Sequence, residues 1–162
     1  MNQNTTELSI VLHNIRSAQN VGAIFRTADA AGVGKIYLTG YTPAPLDRFG
    51  RPDGKIAKTA LGAEKTVPWE VCKSASALLK RLQKMGTRVV AVEQAKDSIS
   101  YTKWKPQFPV ALILGNEVLG VSPALLKVCE KIVEIPMRGE KESLNVSVAA
   151  GIILFKVAEF LT

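Results

Sequence analysis

The sequence is poor in the side chains that build metal sites and hydrolytic triads. Its 162 residues include one histidine, His13, and two cysteines, Cys72 and Cys129, all far apart in the chain. Zinc sites need three or four such ligands, usually at short spacings, and no such spacing is present. A lone histidine without a paired nucleophile and carboxylate also argues against a Ser-His-Asp or Cys-His hydrolase, and His13 is interpreted as structural.

Long apolar runs and an excess of negative charge are missing as well. No apolar stretch approaches the ~20 residues of a membrane-spanning helix. The polar N-terminus, residues 1–7, lacks the basic and apolar segments of a signal peptide. We therefore expect a cytoplasmic protein. Lys and Arg outnumber Asp and Glu by 21 to 14, and the net charge is +7. This charge indicates an anionic partner, nucleic acid ahead of membrane, or a basic protein kept soluble by its charge.

The positive charge is concentrated in one stretch of the chain. Between Lys73 and Lys105 there are eight Lys or Arg residues, against only Glu93 and Asp97. A local excess of this kind is better evidence for a binding face than a dispersed one.

Apolar runs alternate with helical patterns along the chain. Strands are predicted at residues 8–13, 35–39, 65–69, 88–92, 109–114 and 131–135. Helices are predicted at residues 21–31, 55–64, 75–85, 123–129 and 146–161, the last buried at its start. Asn20 is expected to cap the first helix and Gly32 to end it. The loop at residues 42–54 contains three prolines and two glycines and is of a length that tends to be functional. The alternation predicts one α/β domain with a mainly parallel sheet flanked by helices.

Two glycine patterns fail as nucleotide-binding motifs. Gly32-Val-Gly34 lacks the third glycine of the dinucleotide fingerprint and precedes a strand instead of following one. A phosphate-binding loop ending at Gly34-Lys35 would need glycine at Asp29 and Ser or Thr at Ile36. The sequence therefore supports neither a dinucleotide-binding motif nor a phosphate-binding loop.

Three separate stretches combine glycine with polar side chains beside apolar sequence. They are Asn20-Val-Gly-Ala-Ile-Phe-Arg26, Leu112-Ile-Leu-Gly-Asn-Glu-Val-Leu-Gly120 and Ser143-Leu-Asn-Val-Ser-Val-Ala-Ala-Gly151. A buried core has no need of the polar groups that these stretches contain. Because they fall at the ends of predicted strands and helices, they indicate a site.

Together the three stretches resemble the motifs of the SpoU (TrmH-like) RNA 2′-O-ribose methyltransferases, of the SPOUT class. The matching residues are Asn20, Gly22 and Arg26, then Leu-Gly-Asn-Glu117 with Gly120-Val-Ser122, then Ile135-Pro-Met137 with Ser143-Leu-Asn145-Val-Ser-Val-Ala. The resemblance runs from about residue 8 to the C-terminus, with the motifs in the family's order. It implies an enzyme that transfers a methyl group from S-adenosylmethionine to a ribose 2′-hydroxyl of tRNA or rRNA.

The resemblance also implies architecture that periodicity cannot show. Relatives have a C-terminal trefoil knot, in which residues 114–122 and 135–145 would cradle S-adenosylmethionine and the final helix threads through a loop. They work as homodimers, commonly through the knotted region. Residues 1–162 would form a single catalytic domain with no appended RNA-binding domain.

Site residues follow from the same resemblance. The expected cofactor contacts are Gly115, Asn116, Gly120, Ile135, Pro136, Met137, Ser143 and Leu144. The expected catalytic residues are Arg26, Asn20, Glu117, Ser143 and Asn145. For Ile135 and Leu144, plain core packing is the competing interpretation. Glu117 is expected either to anchor its loop by accepting backbone N–H bonds or to pair with an arginine.

Arg26 stands at the position of the family's catalytic arginine. A guanidinium is a poor proton acceptor, so we favour a role in holding the target phosphate and stabilising the developing alkoxide, with general base left open. RNA contacts are expected at Arg16, Arg26, Arg48 and Arg51, with solvated surface as the competing interpretation for all but Arg26. Neutralising Lys80, Arg81 and Lys84 together is expected to weaken RNA binding.

Two other functions remain open from the sequence. One is a SPOUT methyltransferase that modifies a base nitrogen, against which the Asn20 and Arg26 pair argues. The other is a non-catalytic RNA-binding module of the same fold.

Overall fold

One sheet organises residues 7–162, the part of the chain that the computed structural model describes. Residues 1–6 lie outside the described part of the chain. The prediction that the N-terminus is not a signal peptide falls mostly on these residues. The strands are β1 (Leu8–His13), β2 (Lys35–Thr39), β3 (Trp69–Cys72), β4 (Arg88–Val92), β5 (Ile99–Ser100), β6 (Val110–Leu114) and β7 (Lys131–Glu134). The helices are α1 (Ala18–Ala31), α2 (Gly54–Ala60), α3 (Ala63–Thr66), α4 (Ala75–Lys84), α5 (Pro123–Val128) and α6 (Val146–Ala158).

The strands of this sheet all run parallel, in the order β3-β2-β1-β6-β4-β7-β5. The predicted α/β fold with a parallel sheet is confirmed. Strand β6 is inserted between β1 and β4, which both precede it in the chain. Because parallel strands end at a common edge, the loops that follow β1, β4, β6 and β7 are brought together there.

Helices cover both faces of the sheet. Along β1, Ile10 and Leu12 join a cluster with residues of α1, α2 and α6, whereas Val11 joins a second cluster with residues of α4 and α5. All five residues of β6 are buried, as expected for a strand apolar on both faces. Among the helices of residues 7–162, none combines the length and hydropathy that a bilayer-spanning segment requires.

Helix α1 begins three residues earlier than its apolar pattern predicted. Ser17 is its N-cap, and the Ser17 hydroxyl accepts a hydrogen bond from the N–H of Asn20 at 3.1 Å. The prediction that Asn20 caps this helix was therefore wrong. Asn20 lies in the first turn, where its side chain is free to bind outside the helix. Gly32 ends the helix in the left-handed region, with φ 80°, as predicted.

The segment between β2 and β3 also differs from the prediction. The helix expected at residues 55–64 is interrupted at Leu61 and Gly62, whose φ angles are 51° and 95°. The strand expected at residues 65–69 was wrong, since α3 extends through Thr66 and β3 begins only at Trp69. Pro68 precedes the strand and has no N–H to donate to the sheet. Its carbonyl accepts a hydrogen bond from the N–H of Ile36.

Part of the basic stretch lies on α4, where one of its cations is paired within the fold. Lys80, Arg81 and Lys84 lie on α4, but Arg81 is paired with Glu70 at 2.9 Å. Glu70 also accepts from Lys35 at 2.7 Å. The hydrogen bond from Lys35 has the largest effect on the Glu70 carboxyl and lowers its pKa. Burial acts in the opposite direction, but the hydrogen bond from Arg81 lowers the pKa further, to about 2. Part of the positive charge on α4 is therefore already compensated within the fold.

Candidate functional site

A cavity of about 420 Å³ opens at the carboxyl ends of the neighbouring strands β6, β4 and β7. Its walls are residues 92–94 after β4, residues 114–120 after β6, and parts of the segment 134–149 after β7. Ligands of open α/β sheets bind at this edge, and the volume lies in the roughly 300–1,000 Å³ range of small-molecule sites.

Most of the residues predicted to contact a cofactor line this cavity. They are Gly115, Asn116, Gly120, Ile135, Met137, Ser143 and Leu144. Pro136, also predicted, is not among the lining residues. Leu144 is 37% exposed and Ile135 is only partly buried. Leu144 presents apolar surface to the cavity, whereas Ile135 both lines the cavity and packs against the hydrophobic core.

Gly115 and Gly120 allow the two ends of the loop after β6 to pass closely. A Cβ on Gly115 would overlap the carbonyl of Gly120 and lie 2.6 Å from the amide nitrogen of Val121. Gly120 itself has φ 65°, and the place of its missing side chain is taken by the carboxylate of Glu93. Both glycines are therefore required by the packing of this loop, and both also line the cavity.

Glu93 and Gln94 are site residues that the sequence analysis missed. Glu93 Oε2 accepts a hydrogen bond from the N–H of Val121 at 3.0 Å. Gln94 Nε2 donates to the carbonyl of Glu142 at 2.8 Å. The two side chains tie the loop after β4 to the other two walls. The available signal was a polar pair directly after the buried strand β4.

Glu117 fastens the loop after β6 to the start of α1. Its carboxylate accepts from the N–H groups of Arg16 and Ser17, at 3.0 and 3.1 Å, and from Asn20 Nδ2 at 3.3 Å. Of the two alternatives for this residue, the structure shows anchoring by backbone N–H bonds. Burial acts to raise the pKa of the Glu117 carboxyl, but the donors from Arg16, its own backbone, Ser17 and Asn20 together lower it below its ordinary value.

Asn20 connects Glu117 to Asn145. Asn145 Nδ2 donates to Asn20 Oδ1 at 3.2 Å, while Asn145 Oδ1 accepts from the N–H of Ser147 at 2.8 Å and caps α6. Of the five predicted catalytic residues, three therefore form one hydrogen-bonded row, Glu117–Asn20–Asn145. Ser143 lies on the cavity wall beside this row.

Asn116 supports the same loop from the other side. Its Nδ2 donates to the carbonyl of Asn14 at 3.0 Å and to the Tyr41 hydroxyl at 2.8 Å. Its Oδ1 accepts from the N–H groups of Val118 and Leu119. Asn14 and Tyr41 were not predicted as site residues, although both directly follow a strand or its turn. The Asn116 side chain is buried and is occupied by these contacts within the chain.

Arg26 is not brought to this row within the single chain. It is exposed, does not line the cavity, and makes no side-chain hydrogen bond or ion pair in the described part of the chain. It lies six residues beyond Asn20, about 9 Å along the helix axis and roughly 120° around it. Its guanidinium faces solvent and is available to a partner.

The other arginines predicted to contact RNA are on loops at the carboxyl edge. Arg16, which is exposed, lies between β1 and α1. Arg48 and Arg51 flank the exposed ring of Phe49, with guanidinium carbons 4.7 and 5.0 Å from its centroid. Arg51 is also paired with Asp47 at 2.7 Å. Across residues 7–162, no three His, Cys, Asp or Glu side chains are grouped to hold a metal ion.

Replacing Glu117 with glutamine is expected to lower the free energy of unfolding by about 1–3 kcal/mol at pH 7. The amide keeps one acceptor but turns an NH₂ group towards backbone donors. Because the folded-state pKa is lowered, the carboxylate contributes stability fully above its ordinary value of 4.5 and loses it as pH falls. Urea unfolding from pH 7 to pH 3 should therefore show the wild-type and variant curves converging on acidification. Glu140→Gln, at an exposed carboxylate, is the control. A difference that is the same at pH 7 and pH 3 would contradict the role given to Glu117.

Comparison with known sequences identifies one family. The SpoU rRNA Methylase family matches residues 7–155. The chain is 36% identical over 150 residues to the 23S rRNA (guanosine-2′-O-)-methyltransferase RlmB of Ralstonia nicotianae, over 92% of this chain and 57% of that protein. It is 34% identical over 154 residues to the tRNA (guanosine(18)-2′-O)-methyltransferase of Aquifex aeolicus, over 93% of this chain and 68% of that protein.

Solved structures agree with these relatives. An AdoMet-bound rRNA methyltransferase from Sinorhizobium meliloti has a TM-score of 0.86 at 29% identity, covering 100% of this chain and 59% of that one. The A. aeolicus TrmH/SpoU tRNA modifying enzyme has a TM-score of 0.83 at 30% identity, covering 95% and 75%. The chain spans little more than half the length of the Ralstonia relative and about two thirds of the Aquifex one. Sequence and structure point to the same group of proteins, and the chain belongs to the SpoU rRNA methylase family.

Proposed function

We propose that this chain is an RNA methyltransferase that transfers a methyl group from S-adenosylmethionine to a ribose 2′-hydroxyl of tRNA or rRNA. The observation that carries the proposal is the convergence of the family's motifs on one cavity, with Glu117, Asn20 and Asn145 hydrogen-bonded beside it. The similar proteins from R. nicotianae and A. aeolicus are named as 2′-O-methyltransferases of 23S rRNA and of tRNA.

The cavity suits S-adenosylmethionine in shape and chemistry. Gly115 and Gly120 expose backbone to a bound molecule, and Ile135 and Leu144 offer apolar surface to a purine. Acidic side chains, which suit a ligand with sulfonium and ammonium cations, also line it at Glu134 and Glu142. Bound there, S-adenosylmethionine would supply an electrophilic methyl group.

The residues of this chain then have to place and activate the ribose. The Glu117 bonds fix the start of α1 against the cavity wall, so Asn20 and Asn145 are held in position before any substrate arrives. Such pre-organisation lowers the entropic barrier to an in-line displacement. Arg26 faces solvent away from the cavity of its own chain, so it can act only where bound RNA or a second copy of the chain brings it to the reacting ribose. There its two-pronged guanidinium would hold the phosphate of the target nucleotide and stabilise negative charge that develops on the 2′-oxygen.

Binding and product analysis together test this function. Calorimetric titration with S-adenosylmethionine and with S-adenosylhomocysteine should give one saturable site per chain. Labelled methyl transfer to total RNA should then yield nucleosides with a methylated ribose and an unmodified base. Methylated bases would point instead to a base-modifying enzyme. Cofactor binding without transfer to any RNA, or no binding even with tRNA present, would contradict the proposal.

We also propose that the chain is a homodimer in which α6 contributes to the interface. This helix is apolar apart from Ser147 and Lys156, and Val148 and Phe155 are 50% and 51% exposed in the single chain. A second copy of the chain would cover these side chains and so remove them from water. Sedimentation equilibrium at micromolar concentration should give twice the mass of one chain, and Phe155→Glu should reduce it. A single-chain mass for the wild type would contradict the dimer.

Three finer points complete the proposal. Residues 114–145 form the trefoil knot that the family resemblance implies, which is supported by the way the loops after β6 and β7 line one cavity. Residues 7–162 act together as one catalytic domain. The protein acts in the cytoplasm, in keeping with its similarity to proteins named for methylating rRNA and tRNA.

A further inference from the structure

A second cavity, of about 440 Å³, lies at the opposite edge of the sheet. Arg88, Val110 and Lys131, the first residues of β4, β6 and β7, are among its lining. The same three strands end at the first cavity, lined by residues 114–120 and described above as the candidate S-adenosylmethionine site. It is called the methyl-donor cavity below, and the second is called the amino-edge cavity. These strands are only four or five residues long, so the two cavities lie roughly 13 Å apart along the strand direction.

The walls of this amino-edge cavity are strongly basic. Arg88, Lys103, Lys105 and Lys131 line it, against one carboxylate, Glu130. Glu130 is already paired with Arg88, at 2.6 Å between Oε1 and Nη1. Lys103, Lys105 and Lys131 make no ion pair with any residue in the range 7–162. Uncompensated positive charges thus surround one concave surface, which focuses the field on an anion inside it.

The interior of the same cavity offers a small apolar surface beside the charges. Val90 and Val110 are almost fully covered, so this surface belongs to Trp104, which is 8% exposed, and to Ile99, which is partly buried. Gln107 adds an amide that can donate or accept. A patch that served only solubility would need cations alone. The combination of a small apolar surface, one amide and a cationic rim matches a ligand with a flat or sugar-like part and a phosphate.

We propose that the amino-edge cavity binds a phosphate-bearing nucleotide, with Lys103, Lys105 and Lys131 on the phosphate and the small apolar surface against the sugar or base. The nucleotide could belong to an RNA chain that also reaches the methyl-donor cavity, or it could be free. The first source rests on the proposed function.

Trp104 allows the site to be observed directly. The chain has two tryptophans, so Trp69→Phe leaves Trp104 as the only indole reporter. In this background, Trp104 fluorescence is titrated with inorganic phosphate, with guanosine 5′-monophosphate and with a single-stranded RNA decamer. We expect a saturable change with at least one phosphate-bearing nucleotide ligand. A response to the decamer alone assigns the cavity to RNA, and a comparable response to the mononucleotide assigns it to free nucleotides.

Charge variants test the role of the lysines. Changing Lys103, Lys105 and Lys131 together to glutamate should weaken binding at least tenfold, whereas changing all three to arginine should preserve it. For the decamer, the slope of log affinity against log salt should fall by about 2, since each lost phosphate contact removes ~0.7. Glu130→Gln should act in the opposite direction and tighten binding, because it removes the one carboxylate of the cavity.

The inference is overturned if no ligand changes Trp104 fluorescence, or if the triple glutamate variant binds as the wild type does. It is equally overturned if the mononucleotide gives no response and RNA affinity falls only when Lys80 and Lys84 on α4 are reversed. Circular dichroism checks that each variant is folded. The assay needs neither S-adenosylmethionine nor turnover. A chain that binds nucleotides here but methylates no RNA would therefore count against the proposed function while leaving this inference in place.

Discussion

Methyl transfer should fall by about 10²–10³-fold when Arg26 is replaced with alanine, the usual cost of removing one donor to a developing oxyanion. The fold and the affinity for S-adenosylmethionine should hardly change. Arg26 is exposed, makes no side-chain hydrogen bond among residues 7–162, and does not line the methyl-donor cavity. Steady-state methylation of RNA, together with cofactor titration of the same variant, measures both quantities.

Two further variants make the Arg26 result specific. Lys127→Ala removes an exposed cation from α5, away from the cavity, and should leave turnover unchanged. Arg26→Lys keeps the charge but loses the two-pronged contact, so it should recover only part of the activity. Wild-type turnover in Arg26→Ala would show that the catalytic assignment is wrong. A matching loss of cofactor affinity would show that Arg26 acts on the donor site instead.

Gly115→Ala should remove saturable S-adenosylmethionine binding and destabilise the fold by about 3 kcal/mol, the upper part of the usual range for overpacking. The added methyl group would meet the carbonyl of Gly120 and the amide nitrogen of Val121. Both are backbone atoms and cannot rotate away as a side chain would. Calorimetric titration and urea unfolding measure the two effects.

Gly139→Ala is the matched control for this substitution. Gly139 lies in the same half of the chain, has no positive φ, and has open space where its Cβ would be. It should therefore change neither binding nor stability measurably. Normal cofactor affinity in Gly115→Ala would mean that the ends of the loop after β6 can separate without loss of the pocket, and that their close passage is not required for binding.

Local patterns were sufficient to predict most of the sheet. Strands β2 and β4 match their predicted bounds because each is a short apolar run with a turn on either side. Two predictions failed in the segment between β2 and β3. The helix predicted at residues 55–64 is broken at Leu61, whose backbone is left-handed. The strand predicted at residues 65–69 begins only after Pro68. Strand β5, two residues long, has no periodicity to detect.

The site was less predictable than the sheet because its contacts are distant in sequence. Glu117 and Asn20 were singled out through the family resemblance, but only the fold shows that their side chains touch. Glu93 and Tyr41 were missed because many polar residues follow strands, and strand order decides which of those ends are neighbours. The amino-edge cavity was hidden for the same reason, since Lys131 lies outside the basic stretch that supplies Lys103.

The row Glu117–Asn20–Asn145 has a consequence for how the protein folds. Its hydrogen bonds join residues 97 and 125 positions apart, so the row forms only when three segments distant in sequence have been brought together. Pairings of such separation carry a loop-closure cost that has to be met before the contacts form, and they slow folding. A ligand that binds only the assembled site would then raise the free energy of unfolding by mass action, in proportion to the logarithm of its concentration.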